Sequence, residues 1–159
     1  PPVIAIFGDH GEEFGEHGGS THGTTAYAEQ TRVGFLLAGP NVPTAQYAPA
    51  VSTISLPNTL LDLLGLPALS KYAAPSLLPA MQGRAPWPAF AVSEMPASGN
   101  RLWVGYLAGQ YHLLRDPVHD LVELFDLERD PREQHDIAAE QPELLASLLD
   151  KARAWDATQ

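Results

Sequence analysis

The chain has 159 residues, with 9 Lys and Arg against 19 Asp and Glu, a formal charge of -10, and no cysteine. That balance repels phosphate backbones and argues against nucleic acid as a partner. The lack of cysteine removes disulfides, thiolate metal sites and a cysteine nucleophile, while leaving the redox compartment open. No apolar stretch reaches the roughly 18 residues that span a bilayer, and nothing at the amino end has the pattern of a signal peptide. A chain of this size buries about two thirds of its unfolded surface.

The chain opens on Pro1-Pro2 with no initiator Met and enters an apolar run at its third residue. The expectation is an incomplete chain, with any leader, membrane anchor or further catalytic residue encoded upstream. Val3-Ile4-Ala5-Ile6-Phe7 lacks polar alternation and reads as a strand buried on both faces of a parallel sheet. Gly8 to Gly23 then crowds four carboxylates and three imidazoles into sixteen residues. Thr25 to Thr31 reads as a short helix and Arg32 to Ala38 as a second strand, closed by Gly39-Pro40. Strand, loop, helix and strand in succession predict a right-handed crossover in a parallel sheet.

Ser55 is a candidate helix cap, Pro57 suits a first turn, Leu60, Leu61, Leu63 and Leu64 form the apolar side, and Gly65 ends the helix. The proline-rich stretch from Pro67 to Pro88 reads as an extended surface connection, with a boundary near its end. Beyond it, residues 89–93, 102–106, 111–114 and 122–126 are short strand-like runs, with Ala108-Gly109-Gln110 as a hairpin. From Pro142 onward, Leu144, Leu145, Leu148, Leu149, Ala152 and Trp155 fall on one helical stripe. The predicted organisation is residues 1–88 as part of an α/β domain carrying the glycine-rich loop, and residues 89–159 as a small antiparallel sheet closed by a helix.

The chemistry concentrates at the end of the first strand. Adjacent strand residues point to opposite faces, so Asp9 and His10 converge on one ion only where the chain turns, and Gly8 and Gly11 allow the turn. A carboxylate beside an imidazole suits a divalent ion of intermediate hardness such as Mn or Zn, with Ca open if the other ligands are oxygens. Glu12, Glu13 and Glu16 read as structural or solvated, because an anion site gains nothing from surplus negative charge. Arg32 is expected to bridge Glu12 or Glu29, with lining the anion site as the alternative. His112, His119 and His135 are given packing or surface roles.

Asp9-His10-Gly11-Glu12, Gly15-Glu16-His17-Gly18, Arg32-Val33 and the strand ending Ala38-Gly39-Pro40 resemble the C-terminal half of a sulfatase, in the alkaline phosphatase superfamily. Val51 to Pro67 resembles that family's next helix, and Glu123 to Glu133 resembles its ELYDLxxDPxE segment, so the likeness covers nearly the whole chain. The resemblance implies an alkaline phosphatase-like α/β fold: a mostly parallel sheet flanked by helices, then a small antiparallel sheet with a C-terminal helix, all as a partial domain. It implies Asp9 and His10 as ligands of one divalent cation, usually Ca, with Mn, Mg or Zn as alternatives. His22 stands thirteen residues beyond Asp9, where many sulfatases carry a sulfate-contacting lysine, and would act as anion contact or proton donor. His17 matches a loop histidine with an organising role, and His17 and His22 are alternatively ligands of a second metal.

The chain departs from the family pattern at several points. It has no cysteine and no C/S-x-P-x-R signature, so the formylglycine nucleophile is expected in the missing N-terminal half, and no nucleophile lies in this chain. Ser55-Leu56-Pro57-Asn58-Thr59 begins like that signature and ends in Thr where Arg belongs. Gly34 stands where proline is usual. The implied function is part of a metal-dependent sulfuric ester hydrolase, inactive as this piece alone, acting on a sulfate ester outside the cytoplasm or at an outward-facing membrane anchor. Alternatives are a phosphodiesterase or phosphoglycerol or phosphoethanolamine transferase of the same superfamily, taking a phosphate ester, and a non-catalytic module that retains the fold. Oligomeric state is not written in the sequence.

Overall fold

The computed structural model describes residues 2–69, 74–97 and 101–157. They form two compact units, Pro1–Asp9 with Gly34–Ala89 and His10–Val33 with Phe90–Gln159. This differs from the consecutive division into 1–88 and 89–159, because residues 10–33 group with the later segment.

In the first unit, β1 (Ile4–Phe7) pairs with β2 (Phe35–Ala38), Ile4 opposite Ala38 and Phe7 opposite Phe35. The ladder is antiparallel, which corrects the parallel crossover expected between these strands. The intervening chain holds only the single-turn helix α1 (Ala28–Thr31), too little helix for the usual parallel return over a sheet face. The apolar run expected to be buried on both faces is open: Ile4, Ile6, Phe7 and Leu36 are 45–63% exposed. A two-stranded ladder offers no second layer to cover them.

A 3-10 turn (Thr53–Ser55) leads into α2 (Leu56–Leu63), with Pro57 in its first turn. Ser55 makes no side-chain cap, against expectation, since its φ of -78° and ψ of -14° already lie in the helical region and its carbonyl takes Thr59 Oγ1 at 2.7 Å. The stop at Gly65 is as expected. Its φ of +67° allows Gly65 N–H to reach Asp62 O and Leu66 N–H to reach Leu61 O, the paired bonds of a Schellman end. Buried Asn58 receives Leu69 N–H and donates to Ala74 O, while Thr59 Oγ1 receives Leu77 N–H. These bonds tie the proline-rich connection to α2, and a further short helix, α3 (Leu78–Met81), lies within it.

The second unit is a meander of β3 (Ala91–Ala97), β4 (Arg101–Ala108), β5 (Tyr111–Asp116) and β6 (Leu121–Asp126), all neighbours antiparallel, followed by α4 (Pro142–Asp156). The hairpin at Gly109 and the closing helix stand where the sequence put them. Alternation along the strands sorts the core into two layers. Val104, Tyr106, Leu113 and Leu124 face α4 through Leu148 and Ala152. Trp103, Leu114 and Phe125 face the other way and are covered by Ala26 and Tyr27. The sheet therefore lies between α4 and the end of the glycine-rich segment, and this second cover is why residues 10–33 belong with it.

Candidate functional site

The glycine-rich loop is held by its own acids. Glu13 is 1% exposed, and its Oε1 receives the amides of His17 at 3.0 Å and Gly19 at 2.6 Å. Its Oε2 receives Gln30 Nε2 at 2.8 Å. Gln30, equally buried, accepts the amides of Thr24 and Thr25 on Oε1, and its Nε2 lies 2.9 Å from both their hydroxyl oxygens. Glu16 receives Phe14 N–H at 2.5 Å, and this amide holds its carboxyl below the usual range. Gly11 lies against α1, donating to Gln30 O at 2.8 Å, and a Cβ there would stand 2.0 Å from Glu29 O.

The three imidazoles occupy two different settings. His10 and His22, both exposed, stack with ring centroids 3.9 Å apart and planes 25° from parallel. His10 Nδ1 lies 2.8 Å from Gly11 O. A carbonyl only accepts, so Nδ1 donates in this contact. His22 Nδ1 faces both Glu12 oxygens at 3.1 and 3.3 Å, which turns Nε2 away from the carboxylate. His22 is thus an exposed imidazole on a loop tip, oriented by Glu12.

His17 turns instead to the sheet side of its unit. Its Nδ1 meets Glu29 Oε1 at 2.6 Å and its Nε2 meets Glu133 O at 2.9 Å. Both partners are acceptors, an arrangement that favours the doubly protonated ring. Burial lowers its pKa, but the Glu133 carbonyl and Glu29 carboxylate outweigh burial and leave it raised. The ring lies flat on Tyr27 at 3.7 Å and 7°, and Tyr27 OH donates to Glu123 Oε2 at 2.8 Å. Burial and the Glu123 carboxylate push the Tyr27 phenol upward, and burial also raises Glu123. Both ring nitrogens of His17 are thus engaged, one by α1 and one by the Glu133 backbone.

The anchor that sequence reasoning missed is Glu133. This residue is 2% exposed and takes a left-handed φ of +55°. One carboxylate oxygen receives Ala28 N–H at 2.7 Å, the other meets Nδ1 of buried His112 in a short contact, and its carbonyl receives His17. Three attachments thus join the loop, α1 and β5. The available signals were a lone polar residue within the Tyr111-His112-Leu113-Leu114 run and the acid closing the segment Glu123 to Glu133. Glu12 and Glu29 pair with His22 and His17 rather than with Arg32, because the imidazoles come from the same folded loop.

Asp9, exposed, is the last residue of the first unit. Among the described residues no group of three or more His, Cys, Asp or Glu gathers as a metal cage. No described helix is long and apolar enough to cross a membrane.

The chain is similar to known sulfatases. The family model described as Sulfatase matches residues 1–66, the stretch that contains the loop and α2. Arylsulfatase K of Gallus gallus is 30% identical across 92% of this chain and 29% of its own length. The Delta 4,5-hexuronate-2-O-sulfatase of Bacteroides thetaiotaomicron is 26% identical across 86% of this chain and 30% of its own. The solved structure of BT1596, a 2-O GAG sulfatase, superposes with a TM-score of 0.82 at 26% identity, covering 94% of this chain and 35% of that one. The chain thus spans about 30% of the length of the curated relatives it matches. It is similar to sulfatases over nearly its whole length, with the alkaline phosphatase-like fold of those neighbours present as a partial domain.

Proposed function

We propose that this chain is the metal-loop portion of a sulfuric ester hydrolase, in which Asp9 and His10 hold one divalent cation and His22 addresses the ester. The observation that carries the reading is the joint match of the family model to residues 1–66 and of sulfatase relatives to nearly the whole chain. The Nδ1-protonated form of His10 supports its place among the ligands, and the family resemblance puts Ca first, with Mn, Mg or Zn as alternatives. When bound, the cation supplies neutralisation of the anionic ester.

The chain's own residues do the rest of what this segment contributes. Glu12 turns the His22 ring so that Nε2 addresses an oxygen of the ester, as a hydrogen-bond donor to the sulfate or a proton source for the leaving alcohol. The Glu13 and Gln30 network holds the loop backbone that carries both rings. The nucleophile, a formylglycine by resemblance, comes from the part of the protein outside this chain, which contains no cysteine. The substrate class is a sulfate ester. Action outside the cytoplasm follows from the same kinship.

The test is made on the full-length protein with 4-nitrophenyl sulfate and 4-nitrophenyl phosphate as probes and metal content measured alongside. Sulfate-ester turnover is expected, with His10→Ala lowering metal occupancy and His22→Ala slowing turnover by about 100- to 10,000-fold while metal is retained. Turnover of the phosphate ester alone would move the protein to the phosphoryl branch of the superfamily. Full metal occupancy in His10→Ala would remove that ligand.

A further inference from the structure

We infer that Glu13 and Gln30 are positioning residues for His22, acting as a buried carboxylate and carboxamide pair that pins both ends of the loop tip. The inference rests on the proposed role of His22 and adds the machinery that aims it. The tip Ser20–Gly23 has no regular secondary structure, so its shape depends on its two ends. At the first end, Glu13 Oε1 takes Gly19 N–H at 2.6 Å. At the other, Gln30 Oε1 takes Thr24 N–H at 3.2 Å, and Nε2 donates to Thr24 Oγ1 at 2.9 Å. The two side chains are joined to each other by Gln30 Nε2 to Glu13 Oε2 at 2.8 Å. One buried link therefore fixes the distance between the ends of the segment that carries His22.

Gly19 supplies an independent observation. A Cβ on Gly19 would stand 2.5 Å from Glu13 Oε2 and 2.9 Å from Oε1. The carboxylate is seated against the backbone where only glycine leaves room for it. Both side chains are about 1% exposed, so an unmatched donor or acceptor there has no water to turn to. A fixed tip holds His22 against His10 and Glu12, and misplacing such a group costs on the order of 100-fold in rate.

The polarity of the pair makes the inference sharply testable. Glu13→Gln alone sets the new amide nitrogen against Gln30 Nε2, donor to donor. Gln30→Glu alone sets two carboxylates face to face in a buried site. Combining Glu13→Gln with Gln30→Glu restores the link with its direction reversed. The carboxamide then at position 13 still accepts the two loop amides on its oxygen, and its nitrogen donates to the carboxylate then at position 30. That carboxylate in turn accepts from Thr24 and Thr25.

The experiment measures peptide-resolved hydrogen exchange over residues 14–27 in the full-length protein, together with kcat and KM for 4-nitrophenyl sulfate per metal-loaded molecule. Each single variant is expected to speed exchange at Gly19 and Thr24 about tenfold or more, and to lower kcat with metal content and KM little changed. The double variant is expected to recover both. Unchanged exchange in the single variants would overturn the pin. Faster exchange with undiminished kcat would overturn the positioning role, since loss of stability alone does not lower turnover per folded molecule. A wild-type protein that cleaves no sulfate ester would count against the functional reading, and the exchange cycle would still decide the pin, with a double variant that fails to recover protection refuting it.

Discussion

The two units handle apolar surface in opposite ways. In the second, Leu113, Leu114 and Leu124 are fully buried, one layer under α4 and the other under Ala26 and Tyr27. In the first, the strand pair is equally apolar, yet Ile6 is 63% and Leu36 53% exposed. Strand composition alone does not make a core, because a sheet face is stabilised only when a second layer removes it from water. Among the described residues one such sandwich is complete, while the faces of the β1–β2 pair are exposed. The glycine-rich loop falls on the completed side, so the histidines proposed to work on the ester are carried by the unit that holds itself together.

That contrast breaks first at Glu133. Replacing it with alanine leaves buried His112 without its acid and Ala28 N–H without an acceptor, and each group so left costs about 1–3 kcal/mol. Denaturant unfolding of the 159-residue chain should show this as a large fall in midpoint. A loss under about 1 kcal/mol would mean that the acid–imidazole pair does not hold the loop to the sheet.

Two leucine truncations sharpen the comparison. Leu124→Ala, at a position 0% exposed, should cost about 2–5 kcal/mol. Leu36→Ala, on the open ladder, should stay within about 0.5 kcal/mol in this chain. Equal costs at the two positions would show that the first unit's faces are covered after all. A smaller effect is expected at Gly105, where a Cβ would meet His112 Nε2 at 2.7 Å and Leu114 Cδ2 at 3.3 Å. Gly105→Ala should cost about 1–3 kcal/mol by overpacking, and a neutral result would mean that the His112 ring has room to turn away from Glu133.

The second unit was largely legible from the sequence, because each of its strands ends at a turn residue and its helix repeats leucine at helical spacing. Gly109 and Gly65 stop their elements through positive φ, a requirement visible in the residue itself. Strand direction in the first unit was not legible, since Val3 to Phe7 is apolar on both faces in either orientation. The loop histidines were identifiable as candidates, but their partners were not. His17 and His22 look alike in sequence, and only the fold sends one to Glu29 and Glu133 and the other to Glu12 and His10. Glu13 and Glu133 were hidden for a related reason. A buried carboxylate is recognised by the amides gathered around it, and those come from residues as distant as Ala28.

The mildest probe of the completed side is pH, acting through His17. Its pKa is raised above the ordinary value of 6.5 because the Glu133 carbonyl and Glu29 carboxylate outweigh burial. The charged groups facing it are the carboxylates of Glu16, Glu29, Glu123 and Glu133. For a group whose folded pKa is raised, the stabilisation is fully present below the unfolded value and is lost as pH rises through the folded one. His17→Gln keeps a donor for the Glu133 carbonyl and cannot become charged. The stability difference between wild type and His17→Gln should therefore be largest below about pH 6 and shrink as pH climbs past neutrality. Subtracting the variant cancels the titration of the carboxylates that the two proteins share. A difference that stays constant across that range would show that His17 holds the loop as a neutral ring, and one that grows with pH would reverse the sign of the assignment.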